Sequence, residues 1–284
     1  MRRRSMLAAC AAVLVSVAAG CERKAPVAAS TGPRLAVLSP ALAATLKDLG
    51  AGPVIVGRHA WDQVLDASVP IVGDGVGEVD YERLVGVKPT VVIGQFGAGG
   101  VPARLTEMAK SRGWTLRDYN PLSLADVVGV ARSLAADAQA AGCAGVPERL
   151  AEVEKALESS LRPRPGAERA GRVLLLAGLS PPAALGPGSV HHDILVSLGA
   201  TPAITTGAAY ITLDAEDLKR IAPDAILLIL PRKAGEPAGK AKPVAELPTV
   251  PVALIDDPLT HLTATTIRAT ADAMGEAIDR FGRR

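Results

Sequence analysis

Aromatic side chains are scarce in this sequence of 284 residues. It has two Trp, three Tyr and two Phe, 2% of the chain, although 49% of its residues are hydrophobic. A chain of this length and hydrophobic content can bury a substantial core, which excludes a disordered or fibrous protein. That core must be packed mainly from Ala, Val, Leu and Ile. Each ring in a loop therefore becomes a candidate for contact with a ligand.

Cysteine and excess charge are lacking as well. Cys10 and Cys21 lie at the N-terminus and only Cys143 lies in the body of the chain, which excludes an intrachain disulfide framework. The formal charge of +2 comes from three arginines within residues 1–20; without that segment 28 basic and 29 acidic residues remain, a formal charge of −1. No basic field remains that would indicate a nucleic-acid partner.

The N-terminus has the pattern of an export signal. Three arginines precede an apolar run at residues 6–19, which is shorter than the roughly 20 residues that cross a bilayer. We interpret residues 1–20 as a signal peptide and residues 21–33 as a flexible tether. The residues before Cys21 resemble a bacterial lipobox, with Ala18 where leucine is usual, and predict lipidation of Cys21. The alternative is ordinary cleavage near Cys21, which would release a soluble secreted protein.

Three sequence patterns occur twice, in the same order. They are Leu-Ser-Pro at 38–40 and 179–181, L-x-x-L-G-A-x-P-x-I at 46–55 and 195–204, and D-x-E-x-L-x-x-x-x-P at 80–89 and 214–223. One such match could be chance in a chain rich in Ala, Leu and Gly. Three matches in register predict two similar lobes.

The residues around these patterns predict alternating strands and helices. We expect Ser39 and Asp80 to cap helices, and Gly50 to end the first of them. The predicted strands are 34–38, 90–94, 172–177, 224–230 and 252–255. The predicted helices are 39–49, 81–87, 122–141, 147–161, 215–221 and 262–281, with a surface loop at 231–248. This alternation indicates an α/β fold with parallel sheets, and ligands of such sheets collect at the carboxyl ends of the strands.

Several segments together resemble a known family. They are residues 34–40, Leu-Gly-Ala-Gly at 49–52 followed by Val-Gly at 56–57, Val-Gly at 72–73 leading to 80–84, and 88–93. From residue 34 to its end the chain resembles the solute-binding proteins of ABC importers, in the class that handles vitamin B12, haem and iron–siderophore complexes. The resemblance implies two Rossmann-like lobes (34–120 and 166–284) joined at 121–165 by a long rigid interlobe helix.

The same resemblance implies a function and its partners. The protein is expected to be a monomer of the periplasm or cell envelope, anchored to a membrane through its lipid. It would capture a bulky chelate (cobalamin or another corrinoid, an iron–siderophore, or haem) in the interlobe cleft. It would then deliver that chelate to an ABC permease and its ATPase. No catalytic activity, no resident cofactor and no structural metal are expected.

Site residues follow by position from the resemblance. Glu82 and Glu216, one in each lobe, match the acids that dock on the permease, and they are also the paired acids of the internal repeat. The ligand-binding candidates are Trp61, Phe96, Tyr210, His59, Ser180 and His191. Ala183 and Val76 stand where B12-binding members have further rings. Ordinary burial remains the alternative for each ring, and a supporting role at a helix N-terminus is the alternative for each glutamate.

Two other functions stay open at this point. His59, His191, His192 and His261 could supply ligands to haem iron or to Zn²⁺, which would suit a metal-ion-binding envelope protein, although no close H-x-x-H spacing occurs. A secreted lipoprotein hydrolase is the other alternative. The sequence has no G-x-S-x-G, P-loop or H-E-x-x-H motif that would support it. A structural envelope lipoprotein would not explain the paired acids.

Overall fold

The structure, a computed structural model, describes residues 32–74, 78–232 and 236–283. The predicted signal peptide, the lipidation of Cys21 and the predicted tether up to residue 31 lie outside the described residues. Within the described ranges, no helix has both the length and the apolar character that crossing a bilayer requires.

Each lobe is one sheet with the helices packed on it. The first lobe contains β1 (Leu35–Val37), α1 (Pro40–Asp48), β2 (Ile55–His59), β3 (Ile71–Gly73), α2 (Tyr81–Gly86), β4 (Val91–Gly94), α3 (Ala103–Arg112) and β5 (Thr115–Asp118). The connection contains α4 (Leu124–Ala140) and α5 (Val146–Ser160). The second lobe contains β6 (Arg172–Leu179), β7 (Pro182–Leu185), α6 (Val190–Ser197), β8 (Thr201–Pro202), β9 (Tyr210–Thr212), α7 (Ala215–Ile221), β10 (Ala225–Ile229), β11 (Val252–Ile255) and α8 (Ile267–Phe281).

The first sheet is parallel, as predicted. Its strand order is β3-β2-β1-β4-β5, and β1 lies in the middle with Leu35 opposite both Ile55 and Val91. All three residues of β1 are fully buried because helices cover both faces of the sheet. α1 and the connection pack on one face, and α2 and α3 on the other.

The second sheet is mixed, which corrects the prediction of parallel strands. Its order is β11-β10-β6-β7-β9; β10 runs parallel to β6 and β11, whereas β7 is antiparallel to β6 and β9. In the first copy of Leu-Ser-Pro, Ser39 caps α1 by accepting from Leu42 N. In the second copy, Pro182 follows Pro181 and disfavours a helical conformation for it, and the chain turns back into β7 instead.

The other two repeated patterns have the same structure in both lobes. Asp80 and Asp214 cap α2 and α7, each accepting a hydrogen bond from the third residue after it. Gly50 and Gly199 follow α1 and α6 with φ of 78° and 82°, the left-handed conformation that favours glycine. The leucines of the patterns are fully buried: Leu46, Leu49, Leu84, Leu195, Leu198 and Leu218. The prediction of two similar lobes is therefore confirmed.

Two helices, not one long helix, connect the lobes. A capping box of Ser123 and Asp126 begins α4, and Gly142 and Gly145 separate α4 from α5 with φ of 77° and 69°. These two left-handed residues reverse the chain, because a helix cannot continue through positive φ. The two helices predicted on either side of residues 142–145 are therefore present, and the single long interlobe helix implied by the resemblance is a pair of helices that pack against each other.

Each helix of the connection reaches both hydrophobic cores. Val127 near the start of α4 packs in the core of the second lobe, and Leu134 near its end packs in the core of the first. In α5 the order is reversed, with Val146 in the first core and Leu157 in the second. Residues 32–284 consequently form one compact unit. The predicted lobe boundaries, after residues 120 and 165, stay a prediction.

A second contact between the lobes lies before α8. Thr265 donates from Oγ1 to Asp48 Oδ2 at 2.7 Å and from its backbone N–H to Thr45 Oγ1 at 3.4 Å. Ala264 packs there with Ala41 and Ala44 of α1. Helix α8 begins at Ile267 rather than at the predicted 262, because residues 259–266 form turns against α1.

Candidate ligand-binding site

The loops that follow the parallel strands of the first lobe meet at one edge of the sheet. Ser39 follows β1, Trp61 follows β2, Phe96 follows β4 and Asn120 follows β5. Two of these loops are joined directly, since Ser39 Oγ donates to Gln95 Oε1 at 3.0 Å. The carboxyl edge is where an open α/β sheet offers side chains to a ligand.

Trp61 is exposed, and the residues around it fix its loop. Its side chain is 57% exposed, whereas His59, the last residue of β2, is 4% exposed. Trp61 N donates to His59 Nδ1 at 3.1 Å, and the two rings meet edge to face with centroids 5.1 Å apart. Since Nδ1 accepts a hydrogen bond, the proton of the neutral imidazole lies on Nε2. His59 therefore supports the Trp61 loop from below.

Asp62 is a functional candidate that the sequence reasoning missed. Its Oδ1 accepts from the backbone N–H groups of Val64 and Leu65 at 3.0 and 2.7 Å, and the residue is 8% exposed. This bonding fixes the turn that follows Trp61. An aspartate directly after a strand and a ring is typical of such a turn, and that signal could have identified it.

Phe96 is half-buried in the outer core of the first lobe. A Cβ placed on Gly94 would lie 2.3 Å from the Phe96 ring, so the ring folds back over the end of its own strand. Its backbone N–H donates to Asp118 Oδ1 at 3.1 Å, and Gly97 N donates to Asn120 Oδ1 at 2.9 Å. Sequence reasoning also missed Asp118 and Asn120, although both are polar residues at the carboxyl end of a strand.

The structure does not bring Ser180 and Tyr210, two of the three candidates of the second lobe, to the same end of β7. Ser180 is exposed in the turn between β6 and β7, beside the 37% exposed Leu179. Tyr210 is 65% exposed, but it lies opposite Leu185, whereas Thr212 lies opposite Ala183. Tyr210 is therefore at the end of β9 that is remote from Ser180.

His191 lies in the interior, which does not support its predicted contact with a ligand. It is 3% exposed, and its Nε2 is 2.7 Å from the carbonyl oxygen of Thr260. The Ser189 cap of α6 places His191 on the same face as the buried Ile194 and Leu195. Its ring also meets that of His261 at a centroid distance of 6.0 Å.

Burial keeps this pair of imidazoles neutral. It lowers the pKa of His191, although the hydrogen bond to the Thr260 carbonyl opposes the shift. Burial, together with the neighbouring His191, also lowers the pKa of His261 to about 4. Within the described ranges, no group of three or more His, Cys, Asp or Glu side chains is arranged to hold a metal ion.

Glu82 and Glu216 occupy equivalent positions in the two lobes. Each is exposed and is the second residue of a short helix. The residue that caps the helix is Asp80 for Glu82 and Asp214 for Glu216. Neither carboxylate forms an ion pair with another residue that the structure describes. A carboxylate at this position interacts favourably with the helix dipole and is also accessible to a partner.

A groove of about 950 Å³ lies between α4, α5 and α6, and its lining includes His192. Leu124, Val128, Leu161 and Val196 supply much of its apolar surface, and Arg132 and Glu154 form an ion pair of 2.7 Å beside it. None of the predicted ligand-binding residues lines this groove.

Two sheet-based lobes joined by a pair of helices, with an exposed ring on a fixed loop at the carboxyl edge of the first sheet, give the chain a two-lobed α/β architecture. The chain belongs to the periplasmic binding protein family, whose sequence profile matches residues 35–250. Family membership implies a periplasmic location and a small-molecule ligand. The family and the structures similar to this one are binding proteins, not enzymes.

The fold is shared with solved binding proteins of Vibrio cholerae. The heme-binding protein HutB is 17% identical with a TM-score of 0.67, over 87% of this chain and 98% of its own. The vitamin B12-binding protein BtuF is 15% identical with a TM-score of 0.60, over 89% and 97%. The siderophore-binding protein FhuD, solved with Fe³⁺-Desferal, is 16% identical with a TM-score of 0.64, over 88% and 99%. No curated protein sequence matches the chain at a significant level.

Proposed function

We propose that this protein is the extracytoplasmic solute-binding lipoprotein of an ABC importer, and that it captures a bulky chelate in the cleft between its lobes. Cobalamin or another corrinoid, haem and an iron–siderophore are the candidate ligands. The carrying observation is Trp61, a 57% exposed indole in a chain with 2% aromatic residues, at the carboxyl edge of a parallel sheet. The protein performs no chemistry and delivers its ligand to a permease.

The fixed Trp61 loop favours a large ligand with a flat or apolar face. Asp62 and His59 hold the loop by three hydrogen bonds, so little conformational entropy is lost when the indole covers a ligand. The half-buried Phe96 lies on a neighbouring loop of the same edge. Leu179 and Ser180 are exposed at the carboxyl end of β6 and are our candidates from the second lobe. Tyr210 remains a candidate because of its exposure.

The proposed delivery uses Glu82 and Glu216. Two exposed carboxylates at equivalent positions of two lobes can orient the protein over a permease that offers a cation to each. Lipidation at Cys21 would hold the protein at a membrane of the cell envelope, with residues 21–33 as the tether. The protein would act as a monomer whose lobes are residues 34–120 and 166–284, joined by 121–165.

A binding screen tests the ligand class. Purified protein lacking residues 1–20 is titrated with cyanocobalamin, hemin and several ferric siderophores. Binding is measured by calorimetry and, for hemin, by the shift of its Soret band. We expect one of these chelates to bind, and we expect Trp61→Leu to lower the affinity for it at least ten-fold. Trp114→Phe is the matched control, because that indole is half-buried near Arg112, outside the cleft loops.

The outcomes of that screen separate the functions. Failure of every chelate to bind, or equal affinity of wild type and Trp61→Leu, contradicts the proposal. Binding of Zn²⁺ alone would favour a metal-ion-binding protein. Turnover of a generic ester or glycoside would favour a hydrolase.

An uptake assay tests the delivery step. The double variant Glu82→Ala/Glu216→Ala should keep the affinity of the wild type for the chelate and lose uptake. Glu107→Ala, an exposed glutamate of α3, is the control and should leave uptake unchanged. Normal uptake by the double variant would contradict docking through these two residues.

A further inference from the structure

Helix α7 contains both Glu216, the proposed docking residue, and an arginine, Arg220, that could pair with it. Arg220 follows Glu216 by four residues, the spacing at which a glutamate and a cation face each other on one helix surface. In the structure, however, the Arg220 guanidinium pairs with Asp217, three residues before it. The Arg220 side chain is 73% exposed, so the choice of partner is not imposed by burial.

Asp217 is a better-fixed acceptor than Glu216. Its Oδ2 accepts from Asp214 N at 3.2 Å, and its own N–H donates to Asp214 Oδ1 at 2.7 Å, which closes the capping box at the start of α7. Its Oδ1 remains for Arg220. The side chain is already ordered by the cap, so pairing with it orders one side chain fewer than pairing with the exposed Glu216 would.

In the first lobe, no residue of α2 three or four positions after Glu82 is a cation that could pair with it. Gly86 stands four residues after Glu82 and Val85 three residues after it, so neither position offers a cation. Arg83 is adjacent to Glu82 in sequence and therefore points away from it around the helix. It pairs with the capping Asp80 at 3.2 Å. Cations at the third and fourth positions after the glutamate are thus a feature of the second lobe: Lys219, which forms no ion pair with a residue that the structure describes, and Arg220.

We infer that Asp217 is a positioning residue for docking: it holds Arg220 away from Glu216 and leaves the Glu216 carboxylate available to a cation of the permease. This inference rests on the proposed docking role of Glu216. Without Asp217, Arg220 pairs with Glu216, and that internal ion pair must break before the permease can bind. An exposed pair at this spacing contributes about 0.2–0.5 kcal/mol, which corresponds to an affinity change of about two-fold.

The test measures the affinity of the protein for its ABC permease. The permease is the one that uptake of the chelate requires, and it is reconstituted in lipid nanodiscs. Asp217→Asn should weaken docking about two-fold, and Asp217→Asn/Arg220→Ala should restore the affinity of the wild type. A purely structural role in the cap would not be rescued by removing Arg220. Asp80→Asn is the matched control: asparagine still caps α2, and the released Arg83 cannot reach Glu82, so docking should not change.

A crystal structure of Asp217→Asn provides a readout that needs no permease. We expect a guanidinium nitrogen of Arg220 within 4 Å of a Glu216 carboxylate oxygen. An unpaired Glu216 in that variant, unchanged docking, or no rescue by Arg220→Ala would overturn the inference. If Glu216→Ala itself leaves docking unchanged, the proposed docking role fails instead, and the crystal structure still decides whether Asp217 diverts Arg220.

Discussion

Thr265 Oγ1 donates a hydrogen bond of 2.7 Å to the Asp48 carboxylate, and this contact joins the two lobes at a distance of 217 residues along the chain. Thr265 is fully buried, and the alanines of the α1 contact pack beside it. The lobes are therefore fastened at two places, here and along α4 and α5. Any movement that changes the spacing between the lobes must strain one of them.

Removing the hydroxyl group at this contact should destabilise the protein. Thr265→Val keeps the shape of the side chain but leaves the Asp48 carboxylate without this donor. The free energy of unfolding should fall by about 1–2 kcal/mol, measured by urea denaturation and circular dichroism. Thr266→Val is the control, because Thr266 Oγ1 is buried without a hydrogen-bond partner among the described residues. It should be neutral or slightly stabilising, and equal losses in both variants would disprove the role of this bond.

The paired glycines of the repeat should differ in their tolerance of alanine. At Gly199 an added Cβ has only ordinary contacts, the nearest at 3.7 Å, so Gly199→Ala should lose about 1–2 kcal/mol through its left-handed backbone alone. At Gly50 the same Cβ would lie 1.9 Å from the Arg149 guanidinium, which donates to Ala144 O at 3.0 Å. Gly50→Ala should therefore lose somewhat more, because the exposed Arg149 side chain must move aside and give up this hydrogen bond.

Gly129→Ala is the control for the glycine pair. Gly129 lies within α4 with open space around it, so alanine there should stabilise the protein by about 0.5–1 kcal/mol. Urea denaturation of the three variants gives the comparison. A smaller loss at Gly50 than at Gly199 would contradict the predicted clash with Arg149.

Stability should fall in mild acid because of His261. Its pKa is about 4 in the folded protein, below the ordinary value of 6.5, so the unfolded chain binds this proton first. The neutral His261 ring therefore makes its full contribution to the free energy of unfolding above pH 6.5. That contribution is lost as the pH falls toward 4. We expect the free energy of unfolding to fall by about 1–2 kcal/mol over this range. This is less than the full pKa shift would give, because solvent screens part of this half-buried ring.

A comparison of variants isolates that contribution. Between pH 7 and pH 4.5, His261→Gln should lose less stability than the wild type in urea denaturation. His191, whose pKa is lowered in the same direction, continues to titrate in both proteins. The same loss in wild type and variant would show that His261 does not contribute.

The parts of the fold that the sequence predicted correctly are those with local causes. Ser39 and Asp80 cap helices because their side chains satisfy N–H groups within the next three residues. Gly50 ends a helix because the left-handed conformation favours glycine. Such signals depend on short segments alone, so a single sequence contains them.

The errors have tertiary causes. Pro181 and Pro182 are a local signal against a helix there, but the pairing of β7 depends on β9, which lies some 30 residues further along the chain. The late start of α8 depends on α1, which is more than 200 residues away. Neither relationship produces a periodic pattern near the residues concerned.

Prediction of the site was limited by the direction of side chains. The burial of His191 had a signal, because Ile194, Leu195 and Leu198 follow it at the spacing of a buried helix face. The difference between Trp61 and Phe96 had a weaker one: Gly94 lets the Phe96 ring fold back over its strand, and no such glycine precedes Trp61 at the same spacing.

The helices α4 and α5 also determine whether the two lobes are separable. A fragment ending at residue 120 would lack Leu134, Ala138 and Val146, which fill the first core. A fragment beginning at residue 166 would lack Val153 and Leu157, which fill the second. The internal repeat therefore does not mark two interchangeable modules. Neither half is expected to be an autonomous folding unit, and the intact chain should melt in a single cooperative transition.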